Sequence, residues 1–231
     1  MRDLPHLGLY RKGTAAAWVI GPVLFLVDNL LHPKEYSPDH EAEQLAEIAG
    51  NYTSWQLAHV LGLGGILLFV PASLGLAFLV RRRAPVAGLV GGALALVGAI
   101  GFASVIALDG FAWGVVGEVS TRRDAATAQL ILHDLQQSEW SFPYYLPAVG
   151  FLVGMVVLAV VAWRTGALTP LAAALLALAS VLVGLEGTIH SNAFFIVGSV
   201  ALLAAGLLVA AELFRMSDDD YAGIGSSASA P

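Results

Sequence analysis

The stretch WQLAHVLGLGGILLFVPASLGLAFLV, Trp55 to Val80, decides how this chain folds. It carries no Asp, Glu, Lys or Arg, holds one histidine, and stops at three consecutive arginines, Arg81 to Arg83. About 20 apolar residues in a helix cross the roughly 30 Å hydrocarbon core of a bilayer, so this segment reads as a membrane-spanning helix with a cationic stop.

Working outward from it, five more apolar stretches appear: Thr14 to Leu31, Ala84 to Leu108, Tyr144 to Trp163, about Ala167 to His190, and Ala193 to Leu213. The third has no charged residue before Asp109, and its helical pattern runs on into FAWGVVG. Composition agrees, since 58% of the 231 residues are hydrophobic and 12% charged, and the mean hydropathy is +0.77. Such values exceed what a soluble domain carries. The expected fold is all-α, a bundle of six transmembrane helices.

Orientation follows from the basic residues, which concentrate in cytoplasmic loops. Arg2, Arg11, Lys12, Arg81, Arg82, Arg83, Arg164 and Arg215 fall on one side; Lys34, Arg122 and Arg123 fall on the other. Both termini are therefore expected to be cytoplasmic, in a plasma membrane. Residues 1–13 read as a leader, 14–215 as the transmembrane domain and 216–231 as a disordered tail. No A-x-A-like site follows the first apolar run, so it reads as a retained anchor. Ala-, Gly- and Arg-rich, Lys-poor usage suggests a bacterial or archaeal source.

Each of the two long outer loops is expected to form a short amphipathic helix. In SPDHEAEQLAEIAG, Ser37 is placed as N-cap, Pro38 as the first helical residue and Gly50 as the stop. In the other loop Ala128, Ile131, Leu132 and Leu135 recur at helical spacing, a stripe suited to lying on the membrane surface.

Without cysteine there is no disulfide, thiolate metal site or covalently attached haem. The net charge of -6 argues against a nucleic-acid partner. The partners expected are the lipid bilayer and, through Gly-rich faces such as Gly88/Gly92 and Gly150/Gly154, another membrane protein or a second copy.

Polar residues gather at the outer ends of the spans. The first ends DNLLH and the fifth LEGTIH, so Asp28 and His32, and Glu186 and His190, each share a helix face. His59 lies one turn inside the second span and Asp109 ends the third, whereas no span as delimited here has an ionisable group in its inner half. Ionisable groups at such depth are costly and so point to function. His32, His59, His190 and Glu186 are the expected metal ligands, with Asp28 or Glu186 as catalytic carboxylate. This inventory suits an open zinc site that activates water for hydrolysis of a lipid or amide.

Three readings compete with it. One is b-type haem between His59 and His190, with room left by Gly62, Gly64 and Gly65. Another is neutral-substrate transport. The third is a non-catalytic membrane subunit with no cofactor.

Overall fold

The computed structural model describes residues 6–34, 36, 40–122, 124–137, 142–189 and 191–222, with the side chains of 142–145, 147, 184–189 and 192 left aside. Among these residues the chain is all-helical. The elements are α1 (Leu7–Leu31), α2 (Glu41–Gly50), α3 (Tyr52–Val80), α4 (Pro85–Ala107), a π-helical segment (Leu108–Trp113), α5 (Gly114–Arg122), α6 (Ala125–Gln137), α7 (Phe142–Arg164), α8 (Pro170–Ile189), α9 (Asn192–Arg215) and α10 (Asp218–Ala222).

Four helical stretches are long and apolar enough to cross a membrane: Leu7–Leu31, Tyr52–Val80, Pro85–Arg122 and Ala193–Arg215. Within α7 and α8 the described apolar stretches, Ala148–Arg164 and Pro170–Val183, are shorter. The six long helices close into a ring in the order α1, α3, α4, α7, α8, α9. Trp18, Phe69, Met155, Leu158 and Leu176 fill its interior.

Lipid is as apolar as leucine, so the helices associate by close van der Waals fit at small residues. Where α1 crosses α3, a Cβ placed on Gly65 would stand 3.0 Å from the Gly21 carbonyl oxygen. Where α4 crosses α7, a Cβ on Gly98 would run into the backbone of Phe151. Gly88 and Gly92 face Val80 and Ala77 of the neighbouring α3, and Gly154 faces Ala95.

The third span continues through the π-helical segment into α5, giving 38 helical residues, or about 57 Å at 1.5 Å per residue. That is nearly twice the hydrocarbon thickness, and the C-terminal part of this stretch carries a small cap. There Leu45 of α2, Val116 of α5 and Ala128 and Leu132 of α6 form a separate core.

The α6 stripe finds protein partners: Ala128 and Leu132 are buried against α2 and α5, while Ile131 remains exposed. α2 runs from Glu41 to Gly50 with two glutamates in its first turn, where the helix dipole favours acids; Ser37 and Pro38 lie outside the described residues.

The chain ends also differ. α1 begins at Leu7, so the leader is helical from there and Arg11 lies inside the span, 9% exposed. The tail begins with α10, whose Tyr221 is 1% exposed. Arg11 donates from Nε to Asp218 Oδ1 at 2.9 Å and from Nη1 to the Leu213 carbonyl at 2.7 Å. Tyr221 OH donates to the Gly75 carbonyl at 3.5 Å, and its ring lies 5.2 Å from that of Phe78. A buried cation thus finds its acid, and an aromatic ring its seat, within a segment that composition alone marks as disordered.

Candidate metal site

Three helices deliver the site. α1 ends at Leu31, and His32 follows in extended conformation (φ -63, ψ 123) with its backbone N–H on the Asp28 carbonyl. Pro33 disfavours a helical residue before it, so the chain leaves the helix here and His32 can turn inward. His59 comes from the first turns of α3 and is 3% exposed.

Asp109 comes from the π-helical segment. The extra residue per turn rotates its carboxylate relative to the α-helix below, and such bulges recur at functional sites. The bulge is pinned from α3, because the Gly110 carbonyl accepts from Trp55 Nε1 at 3.1 Å and from Gln56 Nε2 at 3.0 Å. Only glycine fits at 110, since a Cβ there would collide with the His59 ring.

His59 Nε2 lies 3.1 Å from Asp109 Oδ2 and 3.4 Å from His32 Nε2. One ligand atom from each of the three residues lies within 4.8 Å of the others. Both outer nitrogens are tied to carbonyls, His59 Nδ1 to Trp55 O at 2.7 Å and His32 Nδ1 to Pro33 O at 2.8 Å. A carbonyl only accepts, so each Nδ1 carries a proton and each Nε2 is directed towards the centre of the trio.

Two ring nitrogens and a carboxylate therefore converge, an arrangement held together by a positive charge between them, whether a metal ion or a proton on His59 Nε2. The other carboxylate oxygen, Asp109 Oδ1, is buried and has no hydrogen-bond partner among the described residues. Two atoms each ~2.05 Å from a tetrahedral ion stand roughly 3.3 Å apart, close to the spacing found between the two imidazoles. The indole of Trp55, fully buried, lies 4.7 Å from His59 and 4.9 Å from His32 between ring centroids, and Trp113 stacks with it at 6.4 Å.

Of the residues the sequence nominated, His32 and His59 come together. Asp28 is 8% exposed and abuts Gly62, where a Cβ would stand 2.6 Å from Asp28 Oδ2. It belongs to the surroundings of the trio rather than to it. Glu186 lies on α8, but its side chain is outside the described residues, as is His190 altogether.

Asp109 completes the trio although the nominated ligand set omitted it. Its signal was its standing as the one acid at the end of an otherwise uncharged span. The glycines read as space for a porphyrin face α1 instead: Gly62 meets Asp28, Gly64 meets Leu24 and Gly65 meets Gly21 and Phe25.

On the cap, His133 Nδ1 pairs with Glu41 Oε1 at 2.7 Å, joining α6 to α2. That hydrogen bond holds the Glu41 carboxyl below its ordinary range. Comparison with known proteins adds no assignment: no family model, no curated protein and no solved structure matches this chain.

Proposed function

We propose that this is a multi-pass membrane metalloprotein that holds one divalent transition-metal ion at His32 Nε2, His59 Nε2 and the Asp109 carboxylate. The observation that carries the reading is the convergence of two imidazole Nε2 atoms on a carboxylate whose second oxygen is buried without a hydrogen-bond partner among the described residues. Two imidazoles and a carboxylate form the ligand set of zinc hydrolases and of non-haem iron sites, both of which keep positions open for water or substrate. A zinc ion there would activate water, with Asp28 nearby as the carboxylate to take a proton. Glu186 and His190 are proposed to complete the surroundings from α8.

In this reading all six long helices cross the plasma membrane, both termini are cytoplasmic and the site opens outward beneath the α2/α5/α6 cap. Basic residues support it, gathering at the ends of the bundle opposite the site.

The test is elemental analysis of the detergent-purified protein beside Asp109→Asn and His59→Ala. About one metal ion per wild-type chain is expected, with little or none retained by the two variants, each of which lacks a ligand. Wild type with no metal, whose His59 is instead an imidazolium paired with Asp109, overturns it. Orientation is tested by an impermeant thiol reagent on cysteines placed at Ser37 and Ser226, of which only Ser37 should label in intact cells.

A further inference from the structure

The arginines at the end of the bundle opposite the candidate metal site fall into two groups. Arg11 is paired with Asp218. Arg81 lies over the Phe78 ring at 3.2 Å and donates to the Phe78 carbonyl and, at 3.2 Å, to the Ala222 carbonyl. These two are absorbed by the fold. Arg83 and Arg164 are exposed.

Helix register brings this second group together. α4 and α7 pack antiparallel, since a Cβ on Gly91 would meet Leu158, one on Gly154 would meet Ala95 and one on Gly98 would meet Phe151. Continued to the helix ends, that register sets the turn after α3 against the turn after α7. There Arg83 Nη1 donates to the Thr165 carbonyl, one of the last carbonyls of α7, which a helix leaves without internal partners and whose dipole attracts a cation. Nε and Nη2 of Arg83 have no hydrogen-bond partner among the described residues. Arg164 lies in the last turn of the same helix and makes no hydrogen bond or ion pair among the described residues.

No acid in these helices answers the charge. The sequence has no Asp or Glu from Val80 to Leu108 or from Phe142 to Leu185. Glu212 of α9 is taken by the Thr169 backbone N–H at 3.1 Å and the Thr169 hydroxyl at 2.6 Å.

Beside the guanidiniums runs an apolar seam. On α4, Val86, Val90 and Leu94 recur every four residues and are exposed. On α7, Val153, Val160 and Arg164 share a face by the same periodicity. Val90 adjoins Gly91 and Val160 lies one turn beyond Val157, and Gly91 and Val157 face each other across the seam. Trp163, also exposed, sits at this helix end, where an indole suits the headgroup layer.

We propose that this place binds an anionic phospholipid, its phosphate held by Arg83 and Arg164 and an acyl chain laid along the seam between α4 and α7. Guanidinium groups grip phosphate through paired N–H donors, and basic pockets between transmembrane helices take such headgroups. A headgroup of net negative charge fits, whereas a choline would add a cation where no carboxylate receives it. The inference rests on the reading that α4 and α7 cross a bilayer and is independent of the metal site.

The test is native mass spectrometry of the full-length protein in detergent, titrated with palmitoyl-oleoyl phosphatidylglycerol or the matching phosphatidylcholine. Wild type is expected to hold one phosphatidylglycerol in preference to phosphatidylcholine. Arg83→Gln and Arg164→Gln should each weaken phosphatidylglycerol about fivefold, the effect of removing one surface cation, and leave phosphatidylcholine unchanged. Arg164→Gln breaks no polar contact within the described residues, so it decides the matter should Arg83→Gln fail to fold. Arg122→Gln, at the other end of the bundle, should match wild type.

Equal affinity for the two lipids, or full phosphatidylglycerol affinity in Arg164→Gln, overturns the inference. Displacement of the lipid by inorganic phosphate also overturns it, because the site would then read an anion without regard to acyl chains. A chain that stays soluble and monomeric without detergent removes the membrane reading along with this one.

Discussion

His59 and Asp109 meet across 3.1 Å, although one belongs to the first turns of α3 and the other to a π-helical break in the third span. The contact exists because Trp55 and Gln56 hold the Gly110 carbonyl, which fixes the rotation of the segment that carries Asp109. Replacing Gln56 with Ala removes one of the two holds without touching a ligand. Metal affinity is expected to fall by roughly 10-fold, the lower end for residues that orient a ligand, with the apo protein melting close to wild type. Equal affinity in a competition titration would show that Trp55 alone suffices.

Gly98 and Gly150 both come from Gly-rich spans, yet only one is indispensable to packing. A Cβ on Gly98 would enter the backbone of Phe151, whereas a Cβ on Gly150 would find its nearest neighbour at 3.8 Å, ordinary contact distance. Gly98→Ala is expected to cost about 1 to 3 kcal/mol by forcing α4 from α7, and Gly150→Ala next to nothing. Melting temperatures of the two variants in the same detergent check the contrast.

Tyr221 is buried and held by Gly75, Phe78 and Thr14, while Asp218 neutralises Arg11. Tyr221→Ala should lower stability by roughly 2 to 5 kcal/mol, the range for deleting a large buried side chain. Limited trypsin digestion at Arg11 and Lys12 should speed up in parallel. No change in either would mean that α10 docks without stabilising the bundle.

The His133 and Glu41 pair sets a pH response for the cap. Glu41 is held below its ordinary range by His133, so its contribution is full above the unfolded carboxyl value, about 4.3, and is lost as pH falls through the lowered folded value. The sign follows from linkage, since below that point the unfolded state no longer binds more protons. Protection of α6 amides against hydrogen exchange, taken relative to the intrinsic rate at each pH, should therefore fall at acid pH in wild type, with a smaller acid-induced change in Glu41→Gln. Identical pH profiles would dismiss the pair as a clasp.

The helices themselves were legible from the chain alone, because Trp55 to Val80 and its counterparts carry apolar runs that only a bilayer or a bundle core can accommodate. The continuation of the third span past Asp109 was legible too. Two of the three residues of the candidate site stood out for the same reason, as imidazoles where lipid makes polar groups costly. Helical period and hydrophobicity are properties of neighbours in sequence, so they survive without knowledge of the fold.

What lies between elements was decided only by tertiary structure. Asp109 joins His32 and His59 because a π-helical turn rotates it, and that turn is held by side chains of α3 distant in sequence. The stripe of α6 looked fit for a membrane surface until α2 and α5 offered it a packed core. Residues 218–222 of the tail looked disordered until Arg11 and Gly75 gave Asp218 and Tyr221 partners. Each outcome depends on which surfaces and unsatisfied polar groups come within a few ångströms of one another, a property of the assembled bundle that no window of sequence contains.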